Sequence, residues 1–180
     1  MPYAVTLPLD AAAAAHVERM WRALADQAGD DDALRLGYAP HITLAVLPDA
    51  VRAEDIENAV LGVAGDWDAL STVFAGFGVF PGAPPVIWAA PVVTNRLLTR
   101  HASLHAALTP LPVHPHYHPG AWMPHVTLSK KGQPSAARAV EIVASVWEGP
   151  VSARLERIEL VRFRPVQVLR SEALKPRSQA

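Results

Sequence analysis

The strongest constraint on this chain is a repeated pentad. Ala39 to Leu44 reads A-P-H-I-T-L and Met123 to Leu128 reads M-P-H-V-T-L, so P-H-[I/V]-T-L occurs twice, a recurrence that chance makes improbable. Each copy reads as a short strand with proline at its first position, where no ladder N–H is needed. Side chains at i and i+2 of a strand share a face. His41 therefore stands beside Thr43 and His125 beside Thr127, while Ile42, Leu44, Val126 and Leu128 point to the core. The fold has to accommodate two similar halves, each offering an imidazole and a hydroxyl from one strand.

The flanking segments alternate between strand and helix. Tyr3 to Leu9 reads as a strand, and Asp10 caps a helix with the stripe Val17, Met20, Trp21 and Leu24, ended by the polar loop Gly29 to Asp32. His41 to Leu47 is a strand stopped by Pro48-Asp49, and a second helix over Glu54 to Ala64 faces Ile56, Val60 and Val63 inward. Leu70 to Phe80 and Pro85 to Val93 form a hairpin across Pro81-Gly82-Ala83-Pro84. Thr94 or Asn95 caps a third helix with Leu97, Leu98, Leu104 and Leu108 as its stripe, ended by Pro110 and Pro112. His125 to Ser129 is the second motif strand, followed by a helix from Ser135 with Val140, Val143 and Trp147 on one side. From Pro150 to Leu169 the apolar phase slips between Leu155 and Ile158, which predicts two strands joined by a bulge or bend. Lys175 to Ala180 is expected to fray. This order predicts an α+β fold with antiparallel sheets rather than a doubly wound parallel one.

Composition narrows the classes. At 180 residues the chain is expected to form a single domain, 1–180, built from two lobes, and 51% hydrophobic residues suffice for a core without disulfide or structural metal. The absence of cysteine excludes a disulfide scaffold, a thiolate zinc site and a cysteine nucleophile. Sixteen Lys plus Arg against seventeen Asp plus Glu argue against a grip on long nucleic acid and leave room for a small or local anion. The N-terminal segment lacks a basic n-region, and no apolar run approaches the roughly 18 residues of a membrane span. The expectation is a soluble, cytoplasmic monomer that makes no membrane contact. No P-loop, G-x-S-x-G or strand-turn-helix G-x-G-x-x-G is present, so neither ATP use nor any cofactor is expected.

Two His/Thr pairs brought face to face suit a phosphodiester. A neutral imidazole takes a proton from an attacking water or hydroxyl, and an imidazolium gives one to the departing oxygen. Threonine hydroxyls donate to the non-bridging oxygens and hold phosphorus in line. The arrangement requires no metal.

These paired H-x-T motifs resemble the two-histidine phosphoesterases, in particular the bacterial 2′-5′ RNA ligase-like and 2′,3′-cyclic phosphodiesterase branch. The segment G-F-G-V-F-P-G at Gly76 to Gly82 and the following V-I-W-A strand resemble that family's midsection. The resemblance implies a bilobal, pseudo-twofold α+β fold in which two curved antiparallel sheets face a central cleft with helices outside. It also implies metal-independent opening of a 2′,3′-cyclic phosphate of nucleotides or RNA ends to a 2′-phosphate, together with reversible 2′-5′ RNA ligation. His41 and His125 are then catalytic, with His125 the base for water and His41 the acid, and Thr43 and Thr127 bind phosphate. Relatives nearest the RNA ligases often carry arginine after each motif, where this chain has Ala45-Val46 and Lys130. Strand parity places Ser129 and Lys131, rather than Lys130, on the histidine face, which makes Lys131 a candidate substrate contact. A reduced basic complement favours a small nucleotide or an RNA end.

Other histidines offer competing readings. His114, His116 and His118 form H-x-H-x-H, similar to the motif of histidine-triad nucleotide hydrolases or to a metal clip, yet Pro115 and Pro119 argue against an inner strand and favour a solvated loop. That loop can also cover the cleft, with Tyr117 or Trp122 either packing or stacking on a base. His101 and His105, at i and i+4 on the third helix, read as partly buried structural residues, and His16 as exposed. A nucleotide-binding module without turnover is the alternative from another class, and a histidine-triad or metal-dependent hydrolase using the 114–118 loop is the second.

Overall fold

The computed structural model describes residues 1–130 and 135–176. Among these described residues, eight strands form two antiparallel sheets of four. Strands β1 (Tyr3–Pro8), β2 (His41–Leu47), β7 (Arg157–Arg162) and β8 (Gln167–Ala173) run in the order β2-β1-β7-β8. Strands β3 (Leu70–Phe80), β4 (Val86–Pro91), β5 (Val126–Ser129) and β6 (Val151–Leu155) run in the order β5-β4-β3-β6. Each motif strand is the edge of its own sheet.

Helices cover the outer faces, and their limits follow from capping. In α1 (Ala11–Ala28) the Asp10 carboxylate accepts from the Ala12 and Ala13 amides at 3.0 and 3.1 Å. Gly29, at φ 67°, closes that helix by returning its N–H to the Leu24 and Ala25 carbonyls, a left-handed conformation that favours glycine. Thr94 caps α4 (Asn95–Leu108) through the Leu97 amide, and Ser135 caps α5 (Ala136–Val146) through the Arg138 amide. Helices α1 and α5 pack together over the second sheet, whereas α3 (Ala53–Ala64) lies on β7 and β8 and packs against α4. Helix α1 thus leaves a strand of the first sheet and covers the second.

Several local expectations need correction. The polar loop is one residue shorter than read, Gly29 to Asp31, because Asp32–Arg35 forms the short helix α2. The α4 stripe is Leu97, His101, Leu104 and Leu108, while Leu98 is exposed. The phase slip after Leu155 marks a change of sheet rather than a bulge: β6 ends the second sheet, Glu156 intervenes, and β7 enters the centre of the first. Strand β5 begins at Val126, one residue after His125. At the C-terminus Lys175 does not fray, since it bridges Asp68 and exchanges backbone hydrogen bonds with Trp67 and Ala69 at 2.9 and 2.8 Å. The rest of that predicted tail, from 177, lies outside the described residues, as does Lys131.

Candidate functional site

Both motifs contain the same irregularity. On β2, Thr43 faces Thr6 and Ala45 faces Val5, so Leu44 is skipped by the ladder. On β5, Thr127 faces Trp88 and Ser129 faces Ile87, so Leu128 is skipped. A β-bulge inserts one residue and reverses side-chain parity beyond it. His41, Thr43, His125 and Thr127 reach the cleft as the sequence predicts, but the next cleft-facing positions become Val46 and Lys130. Ala45 and Ser129 are both buried, Ser129 still lining the cavity beside Lys130. Lys130 lines the cavity, and Lys131, the residue that strict strand parity favours, lies outside the described residues.

The structure brings His41, Thr43, His125 and Thr127 to one cavity of about 190 Å³, between two motif strands that lie against each other. The imidazoles are held identically. His41 Nδ1 bonds the Ala39 carbonyl at 2.8 Å and His125 Nδ1 bonds the Met123 carbonyl at 2.8 Å. A carbonyl only accepts, so Nδ1 carries the proton in each neutral ring and Nε2 keeps the free lone pair. That is the nitrogen able to take or return a proton.

The surroundings of the two rings differ. Tyr38 packs on His41 with centroids 4.7 Å apart; its hydroxyl donates to Glu159 and meets Thr6 Oγ1, each at 2.7 Å. Ser171 donates to the other Glu159 oxygen at 2.6 Å. His125 sits instead edge-on to Phe80 and Trp88, at 5.0 and 6.1 Å, on the β3–β4 hairpin. Burial pulls the His41 pKa down to about 4, opposed by the Ala39 carbonyl and reinforced by the charges of Lys130 and His125. Burial also lowers that of His125, against the Met123 carbonyl. Both rings are neutral in the free protein at pH 7.

Lys130, Arg164, Asp30, Asp32, Tyr38 and Tyr117 are also among its polar and aromatic lining. Arg164, on the turn between β7 and β8, forms a two-pronged pair with Asp32 of α2 at 3.0 and 3.2 Å, tying together two rims of the cavity. Burial and Arg164 lower the Lys130 pKa, while Asp32 raises it. Sequence reasoning missed Tyr38, Glu159 and Arg164. None lies in a motif; each comes from another strand or turn, and only the pairing of β1 with β7 brings Glu159 opposite Thr6.

The remaining histidines and Trp122 are not among the residues that line the cavity. Trp122 does not line the cavity; its Nε1 donates to the Thr43 carbonyl at 2.9 Å and its ring stacks on His101. Residues Pro115–Tyr117 form a 3-10 turn, so His114, His116 and His118 do not share a strand face. Among the described residues no group of three or more His, Cys, Asp or Glu side chains is arranged to hold a metal ion. The triad reading of that loop thereby loses its geometry.

Two four-stranded antiparallel sheets with an H-x-T edge strand from each meeting across one cavity define the class of the two-histidine phosphoesterases. The sequence model of the 2′-5′ RNA ligase superfamily matches residues 8–166, and the chain belongs to that superfamily. Sequence comparison with curated proteins finds no match. Among solved structures, E. coli LigT complexed with 3′-AMP is similar at TM-score 0.66 and 19% identity over 97% of this chain and 99% of that one. LigT complexed with ATP gives 0.63 at 20% identity over 97% and 98%, and TT0787 of Thermus thermophilus gives 0.62 at 17% identity over 99% and 100%. These likenesses concern the fold. Among the described residues no helix is long and apolar enough to cross a membrane.

Proposed function

We propose that this protein is a metal-independent phosphodiesterase, a cytoplasmic monomer that opens the 2′,3′-cyclic phosphate of a nucleotide or RNA end to a 2′-phosphate. The observation that carries this reading is the matched tethering of His41 and His125, each with Nδ1 fixed on a carbonyl and Nε2 left for proton transfer, in one cavity beside Thr43 and Thr127. In the hydrolytic direction His125 removes a proton from water as its oxygen bonds to phosphorus. The P–O3′ bond breaks, and the O3′ leaving group takes a proton from His41. Thr43 and Thr127 donate to the non-bridging oxygens, where negative charge accumulates. In 2′-5′ ligation an RNA 5′-hydroxyl attacks phosphorus in place of water and O3′ still departs, so the two roles are kept; cleavage of the 2′-5′ linkage, in which O3′ attacks and O5′ departs, exchanges them.

His41 reaches its protonated form when the substrate binds, because a phosphodiester anion beside the ring favours imidazolium. The small cavity and the balance of Lys130 and Arg164 against Asp30 and Asp32 support a nucleotide or chain end rather than a long polyanion. The complex of E. coli LigT with 3′-AMP supports the nucleotide class. The test is turnover of 2′,3′-cyclic mononucleotides in EDTA. His41→Ala and His125→Ala are expected to lower kcat by about 10²–10⁴. Activity abolished by chelator, or retained in either variant, counts against the mechanism; nucleotide binding without product indicates the non-catalytic module.

A further inference from the structure

Strand β2 is the edge of its sheet, and among the described residues only β1 pairs with it, which leaves its opposite edge without sheet hydrogen bonds. That edge is nevertheless occupied. The Thr43 carbonyl accepts from Trp122 Nε1 at 2.9 Å. The carbonyl of the skipped Leu44 accepts from His101 Nε2 at 3.2 Å and from His105 Nε2 at 3.1 Å, and the Val46 carbonyl accepts from the His114 amide at 2.8 Å. The His101 and Trp122 rings lie flat on each other, with centroids 3.8 Å apart and planes within 5°. His101 is buried, so neither partner of this stack has room to turn away.

Trp122 belongs to the other half of the chain. It precedes Met123, whose carbonyl holds the His125 ring, and Pro124, which leads into β5. A hydrogen bond from Trp122 to Thr43 therefore joins the backbone that presents His125 to the backbone that presents His41 and Thr43. We infer that Trp122, held flat by His101, is a positioning residue that sets the spacing of the two histidines across the cavity. This inference rests on the reading that both histidines act on one phosphate. Trp122 is a positioning rather than a catalytic residue, since it does not line the cavity.

The geometry explains why an indole stands at this position. The residue must bond a carbonyl through an N–H while presenting a flat apolar face to a neutral imidazole, and phenylalanine supplies only the second. Acid and base must be placed together, and a displacement near 1 Å costs on the order of 10²-fold in rate. Loss of the bond is therefore expected to appear in kcat rather than in binding.

The decisive variant is Trp122→Phe, which keeps the stack on His101 and removes the N–H. The expected result is a fall in kcat on the order of ten- to a hundredfold for a 2′,3′-cyclic mononucleotide, with KM changed less than about twofold. His101→Gln, which can bond the Leu44 carbonyl but cannot stack, is expected to give part of the same loss. The double variant should be no worse than Trp122→Phe alone. NMR titration of the His41 and His125 rings supplies a readout independent of turnover: Trp122→Phe is expected to move both pKa values while the fold stays intact by circular dichroism. Unchanged kcat together with unchanged ring titrations overturns the inference, as does a loss that merely tracks the unfolded fraction. If the wild-type protein turns over no cyclic phosphate, the proposed function has failed, and the ring titrations alone decide the clamp.

Discussion

Leu44 and Leu128 occupy the same place in the two halves of the molecule: each follows the motif threonine, and each is passed over by the neighbouring strand. A strand of strict period two would send the residue two beyond threonine to the cleft. The bulge sends the residue three beyond it, which is Val46 in one half and Lys130 in the other. The first half thus contributes an apolar wall at the position where the second contributes a cation.

Lys130 is accordingly expected to hold substrate charge. Lys130→Gln should raise KM for a cyclic nucleotide on the order of tenfold, as expected for loss of a hydrogen bond to a charged group, with a smaller effect on kcat. Because the Lys130 charge also lowers the His41 pKa, the same variant should move that pKa upward. Steady-state kinetics and NMR titration check the two effects separately; an unchanged KM would remove Lys130 from the binding site.

The pH dependence of kcat/KM reports the free protein's acid and base. His41 titrates at about 4, and His125 is held below its ordinary 6.5. The productive form has one ring protonated and the other neutral, so its population peaks between the two pKa values. kcat/KM should therefore be greatest between pH 4 and 6.5 and fall about tenfold per unit above that window. A maximum above pH 7, measured with a 2′,3′-cyclic nucleotide in constant ionic strength, would contradict these ring environments.

Stability should depend on the buried histidines in the same pH range. Burial, helped by His105, holds the His101 pKa down to about 4, against hydrogen bonds to the Tyr117 and Leu44 carbonyls. In the unfolded chain the ring titrates near 6.5, so below that value the unfolded state binds a proton that the folded state refuses. The contribution is fully present above pH 6.5 and is lost as pH falls toward 4, roughly 3 kcal/mol for a shift of this size. Urea midpoints at pH 7 and pH 5 should show the loss, and His101→Gln, which does not titrate, should lose its share of that slope. Equal slopes in the two proteins would assign the acid sensitivity elsewhere.

Much of this architecture is legible in the sequence because the repeat, the caps and the apolar stripes are local signals. Asp10, Thr94 and Ser135 cap their helices as read, and the two H-x-T pairs reach one cavity. The bulges are not legible, since skipping Leu44 or Leu128 depends on the facing strand and leaves the sequence pattern unchanged. For the same reason strict strand parity does not bring Lys130 to the cavity that it lines. Arg164 and Glu159 are invisible for a related cause: the chain changes sheet at Glu156, and β7 then pairs with β1 from the far end of the sequence. Trp122 has two readings open in the sequence, and its place on the Thr43 carbonyl, outside the cavity lining, depends on a strand 79 residues away.

Gly78 and Gly76 on β3 give a matched test of how the wall behind His125 is built. A Cβ at Gly78 would lie 2.6 Å from Trp88 Cζ2 and 2.9 Å from Cε2, whereas a Cβ at Gly76 meets nothing within 4 Å. The Trp88 ring cannot simply swing aside, because Phe80 stacks on it with centroids 4.8 Å apart and both rings abut His125. Gly78→Ala must therefore displace Trp88, at a cost of about 1–3 kcal/mol for overpacking, and carry the disturbance to the His125 ring. Gly76→Ala adds the same methyl to open space and should change stability by less than about 0.5 kcal/mol, or raise it slightly through reduced unfolded-state freedom. Thermal melts and kcat for both variants check the pair. A tolerated Gly78→Ala with unaltered kcat would show that Trp88 and Phe80 do not hold His125, and that its tether to Met123 suffices.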